Sequence, residues 1–216
     1  SSDVCSSDLL APVDALVDAL ARHGVNALPI YCSSLKDPAV AELIETWLGE
    51  TDARVVLNGT AFAVSTPGTD RRPTPFDASG IPVIQIIFSG GDEASWESGA
   101  AGLSARDIAM NVALPEVDGR LMSRAVSFKS QARFDERTQC SVVTYEPRPD
   151  RIDFTAELAA RWVTLSRTPA PARRIAIVLA NYPNRDGRLG NGVGLDTPAG
   201  TVNILRALAE IGRAHV

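Results

Sequence analysis

The sequence predicts an α/β protein with a parallel sheet flanked by helices, on three observations. Segments with apolar residues at helical spacing alternate with short apolar runs bounded by Gly, Pro, Asn or Asp. Residues 81–88, Ile-Pro-Val-Ile-Gln-Ile-Ile-Phe, are apolar on both faces of a would-be strand, as a parallel strand between helical layers must be. A length of 216 residues, 45% of them hydrophobic, suffices for one large or two small domains with a real core.

Along the chain, Val13, Leu16, Val17 and Leu20 recur at helical spacing over residues 12–22, and Gly24 stands where a helix cap belongs. Residues 25–31 read as a short strand. Asp37-Pro38 starts a helix through Leu43, Ile44, Trp47 and Leu48, because aspartate caps orphan amides and proline fits the first turn. Residues 54–57 form the next strand, ended by Asn58-Gly59. Residues 66–80, rich in Pro, Gly, Thr and Asp, are a surface loop, and 81–88 the buried strand. Ser89-Gly90-Gly91-Asp92 turns into a short helix around 94–97. Residues 104–114 form another helix, which Pro115 stops. Residues 123–128 read as a strand, 153–166 as a helix, 168–171 as a linker, and 174–179 as a second buried strand. Thr197-Pro198 opens a last helix over 199–210. Such alternation places ligand loops at the carboxyl ends of strands.

Composition excludes several function classes. There are 26 acidic residues against 21 basic, a net charge of −5, which opposes a broad nucleic-acid surface. No apolar run nears the roughly 20 residues that cross a bilayer, so no membrane span is expected. Cys5, Cys32 and Cys140 have neither metal-site nor disulfide-framework spacing, so a reducing cytoplasm is the expected compartment. Only Lys36 and Lys129 are lysines, which leaves arginine as the main cation; its fork suits carboxylate ligands.

The two ends read as a processing scar. Residues 3–8 can be encoded as gac-gtg-tgc-tct-tcc-gat, whose reverse complement encodes Ile-Gly-Arg-Ala-His-Val, the sequence of residues 211–216. Residues 1–9 and 211–216 are therefore expected to be translated sequencing adapter, with about Leu10 to Glu210 the natural segment of a longer gene. Cys5 and His215 then drop out as site candidates.

Two passages carry chemistry. Residues 181–198, Asn-Tyr-Pro-Asn-Arg-Asp-Gly-Arg-Leu-Gly-Asn-Gly-Val-Gly-Leu-Asp-Thr-Pro, lie between an expected strand and a helix start, where backbone amides meet ligands. Leu195 breaks a G-x-G-x-x-G pattern and no Gly-Lys-Ser/Thr occurs, so any ATP work is done elsewhere. The plain alternative is a long glycine-rich turn. In residues 107–120, Glu116 and Asp118 follow the proline-stopped helix. Two apart on an extended segment they point the same way, able to take protons or pass on a hard divalent ion. A solvated acidic turn with Asp118-Gly119 at its tip is the alternative. His23 at a helix end, Cys32 and Cys140 read as structural residues, and Ser89-Gly90-Gly91 as a turn.

Those two passages, with Gly80-Ile81-Pro82-Val83-Ile84-Gln85, resemble the large-subunit family of aerobic cobaltochelatase, CobN, and more distantly the H subunit of magnesium chelatase. Tyr182-Pro183-Asn184-Arg185-Asp186-Gly187-Arg188 departs from the passage of the magnesium branch and favours cobalt. The resemblance implies Rossmann-like or flavodoxin-like units within a larger multidomain subunit: an α/β domain over 10–150 and the start of a second over 151–210. It implies a ligase that inserts Co(II), its substrate ion, into the corrinoid precursor hydrogenobyrinic acid a,c-diamide for cobalamin synthesis. ATP and Mg would be used by the AAA+ partners CobS and CobT rather than bound by this segment, which alone would be inactive. Glu116 and Asp118 would accept protons or touch the metal transiently. Arg120, Arg185 and Arg188 would hold macrocycle carboxylates. Asn181, Asn184 and Asn191, with the amides of Gly190, Gly192 and Gly194, would shape the pocket wall, both passages facing one cavity. The alternatives are a magnesium chelatase large subunit acting on protoporphyrin and a non-catalytic α/β ligand-binding module.

Overall fold

The computed structural model describes residues 3–137, 139–180, 190, 192 and 194–210. Two compact units divide the chain, Ser1–Val163 and Thr164–Val216. The boundary falls later than the expected residue 150, because the helix that follows buries Ile152, Ala156 and Ala159 in the core of the first unit.

In the first unit, four strands form one mixed sheet in sequential order: β1 (Val56–Asn58), β2 (Val83–Phe88), β3 (Leu121–Asp135) and β4 (Cys140–Pro147). β1, β2 and β3 run parallel, as expected, and β4 returns antiparallel to β3. That last strand departs from an all-parallel sheet because a tight reversal, with Gln139 at φ 52°, joins the two without a crossover helix.

Helices cover both faces. On one, Ile86 and Val126 meet α1 (Asp3–Arg22) through Leu16, Ala19 and Leu20, and α6 (Pro149–Arg167) through Ile152, Ala156 and Ala159. On the other, α2 (Pro38–Glu50) covers Val56 and Val83 through Ile44, with Leu35 and Phe76 completing the cluster. Further along that face, Ile87, Ala125 and Phe128 pack with Trp96, Leu103 and Val112. This second patch lies under α3 (Glu93–Ser98) and a π-helical turn (Ala109–Ala113), which joins α4 (Ala105–Ile108) to α5 (Leu114–Val117).

The expected punctuation holds at several ends. Gly24, at φ 73°, closes α1 while Val25 N–H reaches the Leu20 carbonyl at 2.9 Å, a Schellman pattern. Asp37 Oδ1 accepts from Ala39 N–H at 2.9 Å to cap α2. Asp92 caps α3 by accepting from Ser95 N–H at 2.8 Å.

Three expectations are corrected. Pro115 does not end its helix: the turn before it widens, Leu114 N–H reaching back to the Ala109 carbonyl, and the helix continues to Val117 with Pro115 buried. Residues 25–31 form no strand; Leu28 and Tyr31 are exposed and no ladder engages them among the described residues. Residues 174–179 in the second unit likewise form no strand, and Ile175, Val178 and Leu179 are exposed. An apolar run supplies side chains for a buried strand but not the flanking backbone partners that hold one in place.

In the second unit, a 3-10 turn at Ala170–Ala172 precedes the 174–179 run, and α7 (Thr197–Glu210) is capped by Asp196 Oδ1, which accepts from Ala199 N–H at 3.0 Å. No helix among the described residues is long and apolar enough to cross a membrane.

Candidate functional site

On the face of the sheet shared by α2 and α3, a polar row separates two apolar patches. Asn58 of β1 and Gln85 of β2 are register partners, and Gln85 is fully buried. The Gln85 Oε1 atom accepts from Asn58 Nδ2 at 3.0 Å and from Arg120 Nη1 at 2.9 Å. Gln85 Nε2 donates to the Thr60 carbonyl at 3.1 Å, which Arg120 Nη1 also reaches at 3.1 Å. Asp118 completes the network: Oδ2 accepts from Arg120 Nη2 at 3.0 Å and from Val64 N–H at 2.7 Å, and Oδ1 from Ser65 N–H at 3.0 Å. Asp118 and Arg120 are each only 5% exposed. Burial lowers the Arg120 pKa, and the Asp118 carboxylate opposes that shift.

The network holds the loop of residues 59–65, which leaves the carboxyl end of β1. A Cβ at Gly59 would collide with the Phe88 ring, so the turn needs glycine. Thr60 N–H and Oγ1 donate to Asn58 Oδ1 at 3.2 and 3.0 Å, and Phe62 N–H donates to the Met110 carbonyl at 2.9 Å. Met110 has that carbonyl free because Leu114 N–H goes to Ala109 and Pro115, five residues on, has no N–H to give.

An open concavity of about 360 Å³ adjoins the network at the amino ends of β2 and β3, lined by Arg71, Asp77, Gly80, Pro82, Asp118 and Arg120 among others. Arg71 forks onto Asp77 at 2.9 and 2.7 Å and donates to the Asp118 carbonyl at 3.0 Å. The Arg71 guanidinium holds the Asp77 carboxyl below the usual carboxylate range, helped by Thr74 N–H at 2.7 Å.

The structure separates the expected carboxylate pair. Residues 114–117 are helical rather than extended, so Glu116 is exposed on α5 while Asp118 is buried. Both Asp118 oxygens are engaged by N–H donors, which makes it an anchor of the 59–65 loop instead of a free proton acceptor or metal contact. Arg120 is corrected for the same reason: its fork is spent on Asp118, Gln85 and Thr60, not presented to ligand carboxylates. Gly190 and Gly194 adopt left-handed φ values of 66° and 76°, and Leu195 N–H closes onto the Gly192 carbonyl at 3.0 Å. Asn181, Asn184, Arg185, Arg188 and Asn191 lie outside the described residues.

His23 Nε2 lies 3.2 Å from Asp153 Oδ1, and burial pushes the Cys32 thiol up in pKa. The Ser89-Gly90-Gly91 turn is tied to Asp107, whose carboxylate accepts from Ser89 Oγ at 2.8 Å and Gly90 N–H at 3.1 Å. Among the described residues no three His, Cys, Asp or Glu side chains converge as a metal site. The sequence reading gave Asn58 and Gln85 no part in a polar network and did not single out Phe62; the one signal was a lone amide inside an apolar strand.

The family model described as CobN/Magnesium Chelatase matches residues 2–213. The aerobic cobaltochelatase subunit CobN of Sinorhizobium sp is 55% identical over 203 residues, 94% of this chain and 16% of that protein. The H subunit of magnesium chelatase from Cereibacter sphaeroides is 26% identical over 227 residues, 98% of this chain and 19% of that protein. The solved catalytic subunit of cobaltochelatase from Mycobacterium tuberculosis superimposes with a TM-score of 0.77 at 29% identity, over 94% of this chain and 17% of that one. The chain thus spans about a sixth of the length of the relatives it matches. A family match over almost every residue, and a solved cobaltochelatase subunit with the same α/β arrangement, show that this chain belongs to the CobN/magnesium chelatase family.

Proposed function

We propose that this chain is a segment of a cobaltochelatase large subunit, which binds hydrogenobyrinic acid a,c-diamide and inserts Co(II) into it. The observation that carries the choice of metal is the identity to a CobN subunit, about twice that to the large subunit of a magnesium chelatase over comparable lengths. ATP hydrolysis falls to separate AAA+ partners of the CobS and CobT kind, in keeping with a sequence that has no P-loop lysine motif.

Insertion requires that the ring's inner nitrogens lose protons as the ion loses water. Glu116, exposed on α5, is the acceptor this segment offers, on a helix whose next turn is locked by the buried Asp118–Arg120 pair. Arg185 and Arg188 are proposed to hold macrocycle carboxylates, with Asn181, Asn184, Asn191 and the glycine amides at 190, 192 and 194 shaping the wall.

The test is made in the intact subunit with its partners. Glu116→Gln is expected to slow cobalt insertion by about 10²-fold or more while spectral titration with the metal-free corrinoid stays near wild type. Wild-type turnover would remove Glu116 from the mechanism. Tighter binding of protoporphyrin than of the corrinoid would overturn the choice of substrate.

A further inference from the structure

We infer that Phe62 is a substrate-binding residue whose ring receives the face of the conjugated macrocycle, an inference that rests on the proposed substrate class. Phe62 has a φ of 66°, in the left-handed region that a residue with a bulky side chain rarely adopts, and is 50% exposed. Its ring belongs to none of the three core clusters found among the described residues.

The conformation is instead imposed from outside. On one side Thr60 is bonded through its amide, hydroxyl and carbonyl to Asn58, Gln85 and Arg120. On the other, Val64 and Ser65 amides end on the Asp118 carboxylate, and Phe62 N–H itself is taken by Met110. Buried groups thus force one residue into an unfavourable backbone state and leave its aromatic ring facing outward. Strain that is over-determined by its surroundings marks pre-organisation for a ligand. A half-exposed ring fixed in direction offers its π-face to another π-face at little ordering cost. The proposed substrate is a conjugated ring, and two of the loop's anchors, Met110 and Asp118, bracket Glu116 in the chain. The ring of Phe62 and the carboxylate of Glu116 therefore sit on one hydrogen-bonded unit.

The experiment uses the intact large subunit and the metal-free corrinoid as probe, with Phe62→Gly, Phe62→Leu and Phe62→Tyr, reading affinity by absorbance titration and stability by thermal midpoint. Glycine adopts φ 66° freely, so Phe62→Gly is expected to match or exceed the wild-type midpoint while binding about tenfold or more weakly. Phe62→Leu should bind as weakly as the glycine variant, and Phe62→Tyr should restore affinity to about wild type. Wild-type affinity in the glycine and leucine variants would overturn the inference, as would a glycine variant of markedly lower midpoint, which would mean that the ring packs against protein. A wild-type large subunit that takes up no corrinoid would refute the proposed substrate itself, a failure visible before any variant is made.

Discussion

Asp118 and Arg120 illustrate how residue chemistry is decided by surroundings. Either side chain in solvent could serve a ligand; buried together, they pair with each other, Arg120 Nη2 donating to Asp118 Oδ2 at 3.0 Å. Removing one partner leaves an uncompensated buried ion, at a cost of about 3–5 kcal/mol. Asp118→Ala is therefore expected to lower unfolding free energy by that order in a urea titration, and also to free the Val64 and Ser65 amides. Asp118→Leu combined with Arg120→Met should cost less than the sum of the singles. Strict additivity would show that the pair is not coupled.

At the scale of elements, one proline organises two segments far apart in sequence. Pro115 deprives the Met110 carbonyl of a helical donor, the preceding turn widens to π geometry, and the freed carbonyl captures the 59–65 loop at Phe62. Pro115→Ala restores an N–H within the helix that competes for Met110. The expected outcome is faster amide hydrogen exchange at Phe62 by about tenfold, with the sheet amides of β2 unaffected. Unchanged protection at Phe62 would separate the loop from the π turn.

For the whole molecule, the informative feature is the apolar surface left exposed among the described residues. Ile175, Val178, Leu179, Val202 and Leu205 of the second unit are exposed, and the chain corresponds to about a sixth of its relatives. Apolar side chains left exposed in this number suit burial against further polypeptide. In a full-length large subunit, amides 175–179 are expected to exchange at least about 100-fold more slowly than in the 216-residue chain, as they would on entering a sheet. Equal exchange in both forms would show that the run stays uncovered.

The sequence by itself determined the α/β class, the helix caps at Asp37 and Asp92, the glycine close of α1, and the buried strand β2, because each depends on residue pattern over a few positions. The family was legible in the passages around Leu114–Val117 and the glycine-rich stretch before α7. Only the tertiary structure decided which polar groups are buried in a network and which reach the surface. Glu116 and Asp118 stand two residues apart yet one is in solvent and the other in the core; Gln85 reads as an interruption of an apolar strand and is the centre of a network. The same holds for residues 25–31 and 174–179, whose composition suits a strand while their pairing depends on neighbours distant in sequence. Local pattern sets what a segment can become, and the contacts that choose among those states are long-range.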